Sequence, residues 1–297
     1  MISIALIRYI SPLSFSNFLK KKTLVRMVLL TSDLLKPIDP SQQFDEDALL
    51  RYVRANVEGF PPYPSTLAVS QFGQGQSNPT FLLEAMVDGV AVKKYVFRKK
   101  PAGKLLASAH AVEREFQVLR ALSLHTDVPV PKIFCLCIDS KEIGTSFFIM
   151  EYLEGRIFTD SKLPELTSEK RRAIYLATAK ALASFHKVDV DSIGLSNFGK
   201  RDNYCKRQVA RWKKQYLAST GEGKPKRNSK MLDLAGWLEE HVSFEDTSRG
   251  ISTGLVHGDF KMDNLVFHAV EDRVIGILDW ELSTLGNQMC DVAYSSL

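Results

Sequence analysis

At 297 residues the chain is long enough for one large or two small domains, and 45% hydrophobic with 25% charged residues is a globular composition with a sizeable core. The positive excess is local: residues 1–32 hold Arg8, Lys20, Lys21, Lys22 and Arg26 and no acid, which leaves 34 basic against 34 acidic residues elsewhere. That balance excludes a nucleic-acid binder held by charge, no apolar run approaches a membrane span, and Cys135, Cys137, Cys205 and Cys290 lack the paired spacing of a zinc site, which fits free thiols in a reducing compartment.

Residues 1–30 are basic, acid-free and rich in Ser, Ile and Leu, the character of a mitochondrial transit peptide. Arg8 interrupts the apolar stretch that a secretory signal needs. The alternative is a disordered extension ahead of a later start at Met27, with a cytoplasmic or peroxisomal location. Phe44, Ala48, Leu49, Tyr52 and Val53 then recur at helical spacing and predict a helix over 44–57, stopped by Gly59-Phe60-Pro61-Pro62. Strands are predicted at 66–72, 80–87 and 90–98, with Asp88-Gly89 a type I′ hairpin signal between the last two. Between the first two lies Gly73-Gln74-Gly75-Gln76-Ser77-Asn78. Such a loop can bring backbone N–H groups near phosphates, with Ser77 and Asn78 as side-chain donors; it lacks the Gly-Lys-Ser/Thr of a Walker loop.

The third strand ends in Arg98-Lys99-Lys100. By alternation Arg98 and Lys99 face opposite ways, so one of them points into a cleft. A helix over 108–122 follows, with Val112, Phe116, Leu119 and Leu122 as its core stripe and Glu113 and Glu115 along it. Further strands are predicted at 133–138 and 147–152. The pattern then turns helical: 167–187, where His186 reads as a structural hydrogen-bonder, 204–216, and 231–242. The helix over 204–216 carries Lys206, Arg207, Arg211, Lys213 and Lys214 around an apolar face of Val209, Trp212 and Tyr216. It reads as a solvated amphipathic helix, or as a cationic wall for an anionic substrate. A basic linker spans 220–230, a loop is predicted over 282–287, and a helix begins at Asp291.

The stretch 255–281, LVHGDFKMDNLVFHAVEDRVIGILDWE, carries the chemistry. Strands at 265–267 and 274–278, joined by a polar turn, form a hairpin that brings Asn264 and Asp279 to one end, with Asp259 on the loop leading in. One Asp to take the proton of an attacking hydroxyl, and an Asn and a second Asp as hard oxygen ligands for Mg²⁺, is a set suited to phosphoryl transfer from ATP. Asp-x-x-x-x-Asn is the spacing of a kinase catalytic loop. Gly258 stands where protein kinases have Arg, and Trp280-Glu281 where they have Phe-Gly.

His257-Gly258-Asp259-x-x-x-x-Asn264 with Ile277-Leu278-Asp279-Trp280-Glu281 resembles the aminoglycoside phosphotransferase and choline-kinase group. Residues 76–81 (QSNPTF), 97–101 (FRKKP), 150–158 (MEYLEGRIF), 204–209 (YCKRQV) and 278–286 (LDWELSTLG) resemble, more narrowly, the phosphotransferase-like domain at the front of acyl-CoA dehydrogenase family members ten and eleven. The resemblance covers about residues 40–297. It implies an α+β, protein-kinase-like, two-lobed fold: a leader over 1–32, a small antiparallel lobe over 40–152, and a mainly helical large lobe over 153–297. It implies ATP and Mg²⁺ as cofactors, with Gly73, Gly75, Ser77 and Asn78 covering the nucleotide, Arg98 (Lys99 the alternative) on its phosphates and Glu115 orienting that cation. Backbone groups of Glu151 to Leu153 would meet adenine. Asp259 and Asn264 would be catalytic, Asn264 and Asp279 metal ligands, and Asp291 would brace the catalytic loop. The implied acceptor is a small-molecule hydroxyl, on a hydroxyacyl-CoA or a hydroxy acid of fatty acid catabolism. The family's large lobe continues past this chain's last residue and a dehydrogenase domain follows, so the resemblance also implies a C-terminally truncated chain. The alternative function is a non-catalytic kinase-like binding module, or a fragment of an acyl-CoA dehydrogenase fusion protein.

Overall fold

The computed structural model describes residues 28–30, 34–73, 78–101, 112–221, 225–247 and 253–296. The expected transit peptide, like Gly75 and Ser77 of the glycine loop, lies outside the described residues. The chain divides into two compact units, one of Met27–Ala181 with Met262–Glu281, the other including Leu182–Lys261 and Leu282–Leu297.

The first unit opens with β1 (Val28–Leu30) and then builds a six-stranded antiparallel sheet from β2 (Leu35–Lys36), β3 (Thr66–Phe72), β4 (Thr80–Val87), β5 (Val90–Lys99), β6 (Ile133–Cys137) and β7 (Phe147–Glu151), in the order β2-β3-β4-β5-β7-β6. Asp88 and Gly89, between β4 and β5, both have positive φ, 50° and 78°, as a type I′ turn requires. Helix α1 (Glu46–Asn56) starts one residue after Asp45, whose carboxylate caps it by accepting the Ala48 N–H at 2.8 Å, an arrangement worth about 1 kcal/mol. Its Ala48, Leu49 and Val53 pack with Phe81, Leu83, Tyr95, Phe97, Phe147 and Ile149. Those sheet residues alternate along β4, β5 and β7, so they share one face. On the other face, Phe116 of α2 (Val112–His125) meets Phe148 edge-on at 6.2 Å.

A second sheet in this unit joins β1 to β8 (Gly155–Phe158), β10 (Leu265–His268) and β11 (Val274–Ile277), in the order β1-β8-β10-β11. Residues 155–158 and the 265–277 hairpin, expected with the helical part that begins at 153, therefore lie in the same compact unit as the six-stranded sheet. The reason is backbone pairing: β8 is hydrogen-bonded to β1 and β10, and the Ile277 N–H donates to the Pro129 carbonyl at 2.8 Å. Helix α3 (Ser168–His186) passes from this unit into the second.

The second unit holds α4 (Tyr204–Ser219), α5 (Ser229–Thr247), β9 (Thr253–Val256), β12 (Thr284–Asn287) and α6 (Met289–Ser295). The loop expected over 282–287 is mostly strand β12, antiparallel to β9 with Leu285 opposite Leu255. Four residues are too few to show period two, and Gly286 masks it further, because Gly286 lies against the Tyr204 ring. Tyr204, Cys205, Val209, Leu238, Val242 and Val256 form the core. Along α4, Val209 and Tyr216 are buried, Lys206, Arg211 and Lys214 are exposed, and Lys213 pairs with Glu239 at 2.7 Å. That is the solvated amphipathic helix.

Two glycines test this packing. A Cβ at Gly155 would run into the Phe267 carbonyl oxygen and the Val266 side chain; Gly155→Ala is expected to cost about 2–3 kcal/mol in urea unfolding. Gly236, inside α5, has open space where a Cβ would go, so Gly236→Ala should stabilise by about 0.5–1 kcal/mol. Equal effects at the two positions would contradict the β8–β10 pairing.

Candidate active site

Strand alternation separates Arg98 from Lys99. Lys99 is buried on the α1 side, where its Nζ donates to Gln42 Oε1 at 3.0 Å and lies 5.9 Å from the Phe81 ring. Burial holds its ammonium below the usual lysine range. Arg98 turns the other way. Its Nε lies 2.9 Å from Glu115 Oε2 on α2, and its Nη2 lies 2.7 Å from Asp279 Oδ1 and 3.2 Å from Glu281 Oε2. Asn78 Nδ2 donates to the same Glu281 oxygen at 3.1 Å. The cluster thus joins the end of the glycine loop, β5, α2 and the end of the β10–β11 hairpin, all within the first unit.

The hairpin positions Asp279 as its sequence suggests. Leu265 pairs with Ile277, and the Leu278 N–H donates to the Asn264 carbonyl at 2.9 Å, so Asn264 and Asp279 share one end. The Trp280 indole N–H donates to the Ile277 carbonyl at 2.9 Å and closes the following turn. Asp279 itself has φ +66°, a left-handed backbone rare outside glycine. Strain of this kind persists where surrounding contacts hold it, and it clusters at functional sites.

The electrostatics follow from burial. Removal from water works against the charge on Arg98, but Glu115, Asp279 and Glu281 outweigh it and raise the guanidinium further above its usual range. For Glu115, burial comes first and pushes the carboxyl up to about 8; Arg98 pulls it down, while Asp279 and Glu281 push it up again. Three carboxyl groups share one guanidinium, and the deepest of them, Glu115 at 1% exposure, is the one whose charged form burial disfavours most. Asp279, with its side chain 30% exposed, is the most open of the three. Asn78 Oδ1 is buried with no partner among the described residues. Three carboxyl groups around one guanidinium, with hard oxygens at Asp279 and Asn264, fit a divalent cation. Among the described residues no three His, Cys, Asp or Glu side chains are grouped to hold a metal. Mg²⁺ needs only one or two carboxylates when waters and phosphates complete its shell.

Of the remaining expected nucleotide residues, Gly73 donates its N–H to the Leu34 carbonyl at 2.7 Å. Glu151 ends β7, and its N–H is engaged with the Lys132 carbonyl at 2.8 Å. Leu153 lies against Gly276, where a Cβ would collide with its side chain.

The second unit holds Asp259. Its N–H donates to His257 Nδ1 at 3.3 Å, and Lys261 Nζ lies 3.3 Å from its Oδ2. The loop bends at Gly258, φ +85°, where a Cβ would come within 2.9 Å of the Leu282 carbonyl oxygen. The Asp291 carboxylate accepts the N–H groups of His257 and Gly258, each at 2.8 Å. This is the brace expected of it. One participant was not expected: Glu281 binds both Arg98 and Asn78, and the sequence signal for it is an acid two residues after Asp279. His186, read as a structural hydrogen-bonder, reaches Asp291 Oδ2 at 3.2 Å; no local signal names that partner so far away in the chain.

Comparison with known proteins gives the family and the fold. The profile of the phosphotransferase enzyme family, APH, matches residues 68–296, and the chain belongs to that family. An Arabidopsis thaliana protein named a probable acyl-CoA dehydrogenase, IBR3, is 65% identical over 90% of this chain, and human acyl-CoA dehydrogenase family member 11 is 42% identical over 90%. The chain spans about a third, 32%, of the length of each. A crystal structure from Ralstonia eutropha JMP134, provisionally named an aminoglycoside phosphotransferase, is 42% identical, with a TM-score of 0.69 over 85% of this chain and 69% of that one. The streptomycin–ATP complex of APH(2")-IIa shares the fold, at 18% identity and a TM-score of 0.57 over 84% of this chain and 74% of that one. The fold is α+β and kinase-like.

The raised carboxyl of Glu115 gives a signed pH dependence. In the unfolded chain that group ionises near 4.5, and in the folded one near 8. Between these values the folded state holds a proton that the unfolded state has lost, so the contribution of Glu115 to stability falls as pH rises through the window. Urea midpoints from pH 5 to pH 8 should therefore fall more steeply for the native protein than for Glu115→Gln. Parallel pH profiles would show that Glu115 is ionised throughout.

Proposed function

We propose that the chain is a MgATP-dependent small-molecule kinase that phosphorylates an acceptor hydroxyl, with hydroxyacyl-CoA or a related hydroxy acid as the acceptor class. The observation that carries this reading is Arg98, held between Glu115 of a neighbouring helix and Asp279 at the end of the hairpin. Membership of the phosphotransferase family supports the reaction type. Relatives named as acyl-CoA dehydrogenase family proteins support the acceptor class, and ATP in the APH(2")-IIa complex supports the donor.

Bound MgATP supplies the phosphoryl group, and its metal offsets the phosphate charge. Arg98, cationic at any working pH, would hold the donor phosphates, with Glu115 fixing the direction of the guanidinium. Asp279 pairs with Arg98; with MgATP bound, Arg98 would meet phosphate, and Asp279 and Asn264 would hold the metal. Gly73 and Asn78 sit at the ends of the covering loop. Asp259 would accept the proton of the acceptor hydroxyl as the hydroxyl oxygen bonds to the γ-phosphorus of ATP and the bond to the departing ADP breaks, and Lys261 beside it would offset the carboxylate charge.

Asp259→Asn is expected to lower ADP formation with hydroxyacyl-CoA and hydroxy acid acceptors by about 10²- to 10⁴-fold while keeping the thermal stabilisation by MgATP. Asp279→Ala should lose that stabilisation. Undiminished turnover in Asp259→Asn would rule out the assignment of the base.

A further inference from the structure

The brace on the catalytic loop has a third donor. Asp291 is 1% exposed, and its Oδ2 faces both the His257 N–H at 2.8 Å and His186 Nε2 at 3.2 Å, while its Oδ1 takes the Gly258 N–H at 2.8 Å. A carboxylate only accepts, so this contact puts the proton of His186 on Nε2. The Gln288 carboxamide nitrogen donates to the carbonyls of His186, at 2.9 Å, and Leu255, at 3.3 Å, tying the end of α3 to β9 immediately before the loop. The Phe185 ring, next to His186 in sequence and 4.5 Å from its ring, also packs on Phe260 at 5.6 Å. The residues on both sides of Asp259 are thus referenced to the end of α3.

We infer that His186 is a positioning residue for Asp259: by donating to Asp291 it holds that carboxylate in the plane from which each oxygen receives one loop amide. With two amide donors alone, nothing on the α3 side opposes rotation of the carboxylate. A turned carboxylate gives up the His257 or the Gly258 N–H in a site sealed from water, where a lost partner is not replaced. The loop would then shift at Gly258, and Asp259 with it. The brace acts on the loop that carries Asp259, whereas Arg98 and Asp279 belong to the cluster built on β5 and the hairpin end, so nucleotide affinity and turnover should separate.

The inference rests on the phosphotransfer reading only for its kinetic consequence, and the test keeps the two apart. His186→Phe keeps an aromatic ring and loses the donor, whereas His186→Gln loses the ring and keeps a donor of similar reach. Hydrogen exchange of the peptide covering 255–260, read by mass spectrometry, should quicken about tenfold at the loop amides in His186→Phe and stay native in His186→Gln. The kcat for ADP formation should fall about 10- to 100-fold in His186→Phe alone, with KM for ATP unchanged in both variants. Native exchange in His186→Phe, or loosening in His186→Gln but not in His186→Phe, would overturn the inference. No ADP formation and no MgATP stabilisation in the native protein would overturn the kinase reading instead, and the exchange data would still decide the role of His186.

Discussion

A guanidinium taken out of water must be matched, and around Arg98 that need organises the first unit. Its partners come from α2, from the turn after β11 and, through Glu281, from the end of the glycine loop. Breaking one side of a buried ion pair costs about 3–5 kcal/mol, a large part of the roughly 5–15 kcal/mol that holds a domain together. The elements that bring these side chains to Arg98 are therefore fixed by one interaction. The crowding of carboxyl groups around one guanidinium shows in the raised carboxyl of Glu115.

In the second unit the backbone does the corresponding work. Asp259 is placed by the peptide before it, through two N–H groups on one buried carboxylate and a bend at Gly258 that leaves no room for a side chain. Asp279, in the first unit, likewise owes its position to a left-handed backbone. Side chains that must act in fixed geometry are here set by their own main chain, which has fewer degrees of freedom to lose than a long rotamer chain.

Much of this was readable from local pattern. The α1 helix, the β4–β5 hairpin with its Asp-Gly turn, the opposite facing of Arg98 and Lys99, and the meeting of Asn264 with Asp279 all follow from period and turn chemistry, which act within a few residues. Strands β8, β9 and β12 were not read: unlike the equally short β10 and β11, which a polar turn joins into a local hairpin, each exists because a distant segment supplies its hydrogen bonds.

The sequence by itself determined which chemistry is present: a carboxylate, an amide and a second carboxylate at kinase spacing, behind a strand ending in a cation. Residue types and short-range order carry that information. Only the tertiary structure decided how these groups are charged and held. It set Glu281 on Arg98, raised the carboxyl of Glu115, placed His186 on Asp291, and engaged the Glu151 N–H with the Lys132 carbonyl. Each of these depends on burial or on a partner far away in the chain. Desolvation and long-range hydrogen bonding have no period along a sequence, so they come into being only when the segments meet.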